Sequence, residues 1–291
     1  MTFATDSIMD VNPAGAAGTL ASSSSRSARH RAQDVFSEVL VAAGRQGYAS
    51  AQPVESDAPL AESVASAWSD WFESETRGQY ATARPVDRQR LKEGFGDIVT
   101  RAQADGGYVH PVEFLRGLSQ DELTVVQNVQ HLAAPIDVDS LTEEGALNLL
   151  LPRAAQVDLN RDGLTQTGIG YGMRFPSSNT PPEVVAAWEE ATAGMSLGDR
   201  MIFELQMVSP IMMANIHVDE QGAFAYRVEP GDPDFVNPMA AADYSYVDAT
   251  QDQLDGLDFS LSKGFISKDK YDRQRAFWQS FQRALQDRSA A

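Results

Sequence analysis

Asp158-Leu159-Asn160-Arg161-Asp162-Gly163 alternates short oxygen-bearing side chains with longer ones and closes on a glycine. Asx side chains accept hydrogen bonds from backbone just ahead of them, and glycine enters the left-handed region freely, so the chain turns sharply here. Three side-chain oxygens at alternate positions on a turning loop are also what a hard cation such as calcium takes as ligands. A solvated turn and a cation loop are therefore both open. Upstream lies a leucine-rich helix marked by Leu147, Leu149, Leu150 and Leu151; downstream, Gly168-Ile169-Gly170-Tyr171-Gly172 reads as a flexible connector.

Outward from that turn, helix signals dominate. Val35, Phe36, Val39 and Leu40 share one helical face, with Gly44 near the end of that helix. Leu60, Val64, Trp68, Trp71 and Phe72 recur at the same spacing, as do Leu91, Phe95, Ile98, Val99 and Ala102. Ser119 and Glu122 form a capping box, in which each side chain satisfies a backbone N–H near the other. Ser140 with Glu143, and Thr180 with Glu183, predict the same device; Ser196 opens a further helix that Pro210 ends or kinks. Ile216, Val218, Phe224, Tyr226 and Val228 alternate around Asp219-Glu220-Gln221-Gly222, the one place where strands are expected. Two closing helices, marked by Val247, Leu254, Leu257 and Leu261 and then by Tyr271, Trp278, Phe281 and Leu285, meet at Gly264.

The chain of 291 residues carries 23 basic and 41 acidic side chains, a net charge of −18. A field of that sign repels phosphate backbones and anionic lipid, so nucleic-acid and membrane partners are not expected, whereas a protein partner is left open. There is no cysteine, which removes disulfides, thiolate nucleophiles and thiolate metal sites. The four histidines lack ligand-like spacing, although His217 and Asp219 fall on one strand face. Catalytic motifs such as Gly-x-Ser-x-Gly, a phosphate loop or His-Glu-x-x-His do not occur. No secretory signal is legible at the N-terminus, which predicts a cytoplasmic protein, or one exported without a cleaved signal.

The run from Asp158 resembles the EF-hand superfamily over about a dozen residues. In that register Asp158, Asn160 and Asp162 take the first, third and fifth positions, Gly163 the sixth, and the carbonyl of Leu164 the seventh. The twelfth position, where the family has a bidentate glutamate, is Ile169, and the eighth is Thr165. The resemblance thus implies a weak calcium site, completed if at all by a distant carboxylate; Asp137, Asp139, Glu143 and Glu144 are the nearest upstream. Gly107-Tyr108-Val109 and Gly264-Phe265-Ile266 fit parts of the same helix–loop–helix skeleton, and equally a generic helical hairpin.

The expected fold is mainly α: an irregular multi-helix bundle with EF-hand-like helix–loop–helix units and one small β-hairpin. Residues 1–28, rich in Ala, Ser and Gly, are expected as a disordered tail; residues 29–57 as a short helix and linker, flexible from Gln46 to Asp57. Residues 58–230 form the expected main helical domain with the partial calcium loop and hairpin, and 231–291 a C-terminal helical hairpin packing on it. The leading function is non-enzymatic calcium binding, structural or modestly regulatory. The alternative is a metal-independent helical assembly or secretion-associated interaction protein.

Overall fold

In the computed structural model, which describes residues 13–76 and 78–289, the chain is mainly helical, with two small two-stranded sheets. The apolar stripes read from the sequence face inward. In α1 (Pro13–Ala42), Val35, Phe36, Val39 and Leu40 are buried against α2 (Leu60–Glu75), where Val64, Trp68, Trp71 and Phe72 meet them. Next comes α3 (Pro85–Ala104), which adds Phe95, Ile98, Val99 and Ala102; the Trp68 and Phe95 rings lie 4.6 Å apart, and Trp68 Nε1 donates to the Lys92 carbonyl. Short helices α4 (Pro111–Arg116) and α5 (Gln120–Val129) close this layer, and Ser119 and Glu122 form the expected capping box on α5.

At the centre sits α6 (Glu143–Leu149), whose residues from Glu144 through Leu149 are all buried, as are Leu150 and Leu151 after it. Helix α6 begins at a Thr142 cap, whose hydroxyl accepts from the Gly145 N–H, so the cap lies two residues beyond the predicted Ser140. Ser140 instead ends a 3-10 turn. Gly145 touches the hairpin that follows: a Cβ there would lie 2.1 Å from the Gly168 carbonyl oxygen. The Gly168 N–H donates to the Gly145 carbonyl across the same contact.

That hairpin was not expected. Strands β1 (Leu164–Thr167) and β2 (Gly170–Met173) pair antiparallel, with Leu164 opposite Met173, where the sequence suggested a glycine-rich connector. Beyond it a second core forms. Helices α7 (Pro182–Ala191) and α8 (Leu197–Ala214), the predicted hairpin β3 (Ile216–Val218) with β4 (Phe224–Arg227), and helices α9 (Tyr246–Ser262) and α10 (Lys268–Ser289) follow in order. Phe175, Trp188, Phe203, Ile211, Leu257, Phe277, Trp278 and Phe281 make up most of this core. Pro210 lies inside α8 without ending it, and Pro181, not Thr180, precedes α7. The Thr180 hydroxyl accepts from the Ser177 N–H instead.

Three expectations change. Residues 13–28 belong to α1, because alanine has the highest helix propensity and extends a helix already anchored at Ala32 to Leu40; residues 1–12 lie outside the described residues. The stretch from Gln46 to Asp57 has no regular structure but is tied down: Asp34 accepts from the Gln52 N–H and Glu38 from the Val54 N–H. The cores do not divide near residue 230. The first runs to Val157 and the second starts at Phe175, so the loop and β1–β2 form the seam. Among the described residues no helix is long and apolar enough to cross a membrane.

Gly145→Ala pushes a methyl into a backbone carbonyl that has no rotamer to yield, and the urea midpoint should fall by an equivalent of about 3 kcal/mol. Glu122 is held at about 2 by the Ser119 N–H and hydroxyl and then by Arg101. A carboxylate lowered in the folded state supports folding above its ordinary pKa and loses that support as pH falls toward 2. NMR titration should place its midpoint there, and Ser119→Ala should move it up toward the usual carboxylate range.

Candidate functional site

Two side chains of α6 one turn apart, Glu144 and Asn148, project onto the stretch 157–166, which is irregular up to β1; their spacing places them on one helix face. Asn148 is fully buried. Its Nδ2 donates to the Val157 and Gln166 carbonyls, each at 2.7 Å, and its Oδ1 accepts from the Val157 N–H. Glu144 is 7% exposed. One of its oxygens accepts from the N–H groups of Leu159 and Asn160, at 2.9 and 3.4 Å, and the other from Gln166 at 2.8 Å. Burial raises the Glu144 pKa to about 7, against the lowering effect of those amides and with a further push from Asp158.

Within the loop, each Asx side chain folds onto backbone ahead of it. Asp158 Oδ2 accepts from the Gly163 N–H at 3.0 Å, Asn160 Oδ1 from Asp162 at 3.0 Å, and Asp162 Oδ1 from Leu164 at 2.8 Å. Asn160 Nδ2 also donates to Asp162 Oδ2. Two residues take left-handed backbone: Gly163 at φ 86° and Arg161 at φ 60°. Gly163 also packs so closely that a Cβ would lie 2.6 Å from Ile211 Cδ1, which leaves glycine as the residue that fits. The second core holds the loop from its far side: the Asp158 N–H donates to Ser178 Oγ, and Asn179 Nδ2 to the Asp158 carbonyl. Asn237 Nδ2 donates to the Arg161 carbonyl.

Asp158 is the exceptional member. It is 4% exposed, and its Oδ1 is buried with no hydrogen-bond partner. Burial, then the nearby Asp162, raises its pKa to about 6. Asp158 is among the residues lining a cavity of about 260 Å³ at the seam, bounded also by Arg161, Gly163, Arg174, Asn179 and Tyr246.

The structure thus gathers Asp158, Asn160 and Asp162 on one turn, with Leu164 opening β1 behind them. It does not place the turn between two helices: a 3-10 turn at Arg153–Ala155 precedes it and β1 follows. Ile169 is exposed at the far end of the hairpin. Of the upstream carboxylates, Asp139 pairs with Arg116 and Glu143 with Arg45; of these, Glu144 reaches the loop, and it engages amides with both oxygens. Among the described residues no group of three or more His, Asp or Glu side chains is gathered to hold a metal ion. His217 stacks on Tyr226 at 4.4 Å, and Asp219 caps its own turn by accepting from Gln221 and Ala223. The Gly107 and Gly264 units are plain helical turns, from α3 to α4 and from α9 to α10.

Sequence reasoning missed Asn148, Ser178 and Asn179, and took Glu144 only as a possible ligand. The available signal was the pair of polar residues one turn apart in a helix that, after Glu143 at its start, is otherwise alanine, glycine and leucine. No family model matches this chain, and neither a curated protein nor a solved structure resembles it significantly.

Glu144→Gln replaces one accepting oxygen with a donor and orphans at least one buried N–H. Chemical denaturation should show a loss of about 1–3 kcal/mol, whereas Glu143→Gln, on an exposed side chain, should lose less than about 1 kcal/mol.

Proposed function

We propose that the protein is a non-enzymatic, mainly helical protein that binds calcium weakly at the Asp158–Leu164 loop, where the ion braces the seam between the two cores. The observation that carries this reading is the orphaned Asp158 Oδ1, a buried carboxylate oxygen on a loop whose other Asx oxygens follow the same turn. A buried carboxylate oxygen without a partner is costly, and a cation offsets that cost directly. Asp158, Asn160 and Asp162, with the carbonyl of Leu164, are the residues that would hold it; water completes the shell of six to eight oxygens that calcium takes. With Glu144 committed to amides and Ile169 at the twelfth position, no bidentate carboxylate contributes, which sets affinity near the weak, millimolar end. The role of the ion is structural or modestly regulatory. An acidic chain of this kind works as a cytoplasmic protein with protein partners rather than nucleic acid.

Thermal unfolding tests it. At about ten times the dissociation constant, calcium stabilises by about 1.4 kcal/mol, a rise of about 2–4 °C in Tm for a chain of this size. Sodium chloride of equal ionic strength should not reproduce the rise, and Asp158→Asn or Asp162→Asn should abolish it. A wild-type Tm unmoved by calcium up to about 10 mM removes the proposal.

A further inference from the structure

Helix α8 is apolar on two sides. Phe203, Met207, Val208 and Ile211 point into the second core. Away from it, Leu197, Met201 and Leu205 recur every fourth residue and are 73%, 57% and 57% exposed; Ile202 and Met213 beside them are also at least half exposed. Charge is confined to the first half of the helix, where Asp199 hydrogen-bonds the Ser196 cap and Arg200 pairs with Glu204 at 2.8 Å. From Leu205 to Ala214 there is none. The hairpin that continues from α8 leaves Val218, Phe224 and Tyr226 more than half exposed, with Val218 opposite Phe224. A helix apolar around most of its circumference belongs in an interior, and uncovered patches of this kind mark interaction surfaces.

We infer that this face is the interface between two copies of the chain, related by a two-fold axis that sets the outer stripe of α8 against its copy. Area favours that occupant. Side chains of this size bury on the order of 60–120 Å² each. The eight from Leu197 to Tyr226 therefore supply about 500–950 Å², which reaches the roughly 800 Å² per partner of a stable interface. Charge favours it too. Each chain carries −18, yet the outer stripe bears no formal charge, and the one ion pair on α8 is satisfied within the helix. Two stripes can therefore meet without setting like charges in contact, and the remaining repulsion is screened beyond a Debye length of about 8 Å. Apart from Glu204, paired with Arg200, carboxylates border this surface only at its ends, Asp199 at the start of α8 and Asp219 and Glu220 at the hairpin tip. Its middle offers a basic partner nothing to recognise. Two-fold pairing is self-complementary by construction, and the unbranched Met201 and Met213 side chains adapt to close gaps in it.

Sedimentation of the full chain across about 1–100 µM tests the inference, a range that brackets the weak end of stable interfaces. The expected wild-type result is a dimer mass that falls toward the monomer on dilution. Leu205→Glu and Met201→Glu, both at exposed positions and therefore compatible with folding, should each weaken dimerisation at least about 100-fold, with unchanged circular dichroism. Phe265→Glu, an equally exposed apolar position in the α9–α10 turn, should leave it intact. A monomer throughout the range, a dimer indifferent to Leu205→Glu, or one broken by Phe265→Glu overturns it.

Discussion

The seam depends on a buried carboxylate and a buried amide, Glu144 and Asn148, standing one turn apart on a helix that is buried from Glu144 onward. Irregular backbone cannot satisfy its own N–H and C=O groups, and burying them unpaired costs about 1–3 kcal/mol each. The stretch 157–166 is irregular until β1 begins and is packed between two cores. Glu144 takes three of its N–H groups, and Asn148 takes one N–H and two carbonyls. Those two side chains pair the buried ends of the crossing, at Val157 and Gln166, while its middle at Asn160 and Arg161 reaches solvent. Helix α6 thus acts less as a packing element than as a scaffold of hydrogen-bonding partners, with leucines filling the space around it.

The loop itself meets the same constraint by local means. Asp158, Asn160 and Asp162 each accept from an N–H ahead of them, which bends the chain and leaves few amides for Glu144 to reach. The division is clean: α6 supports the entry at Leu159 and Asn160 and the exit at Gln166, and the Asx side chains support the bend between. One atom falls outside it. Asp158 Oδ1 accepts nothing, and it is held there because Ser178 and Asn179, on the second core, fix the Asp158 backbone from the other side. Position is imposed by the seam rather than chosen by the carboxylate.

Most helices were legible because their signals are local. Ser119 and Ser196 cap as the sequence suggests, since a serine hydroxyl reaches an N–H three residues on whatever surrounds it. The aromatic stripes of α2 and α10 were legible for the same reason: spacing alone fixes a face. The hairpin β1–β2 was not. Leu164, Thr165 and Gln166 are all buried and Gly170 to Met173 all exposed, so neither strand alternates, and an alternating pattern is what marks a strand in a sequence. At the site, Asp158, Asn160 and Asp162 stood out through their spacing. Asn148, Ser178 and Asn179 did not, because partners distant along the chain leave no periodicity. Residues 13–28 show the opposite error: composition argued for a tail, while the helix begun at Val35 and Phe36 extends back through alanines that favour it.

Two buried carboxylates near one another are an unfavourable arrangement, and burial raises both, Glu144 to about 7 and Asp158 to about 6. Their partners differ in kind. Glu144 faces amide dipoles that compensate much of its charge, so removing it would leave donors unpaired. Asp158 accepts the Gly163 N–H at Oδ2, and its buried Oδ1 has no hydrogen-bond partner; Asn179 and the Arg161 backbone nearby lower its pKa only in part. A cation held by Asp158, Asn160 and Asp162 would relieve the burial of Asp158 and its repulsion with Asp162 and Glu144 together. It would act on the part of the molecule where Gly163 touches Ile211 and Asn179 touches Asp158, which are contacts between the loop and the second core. The Asp158 backbone meets the second core through Ser178 and Asn179 while its carboxylate turns into the loop, so one residue joins the seam contacts to the loop's charge.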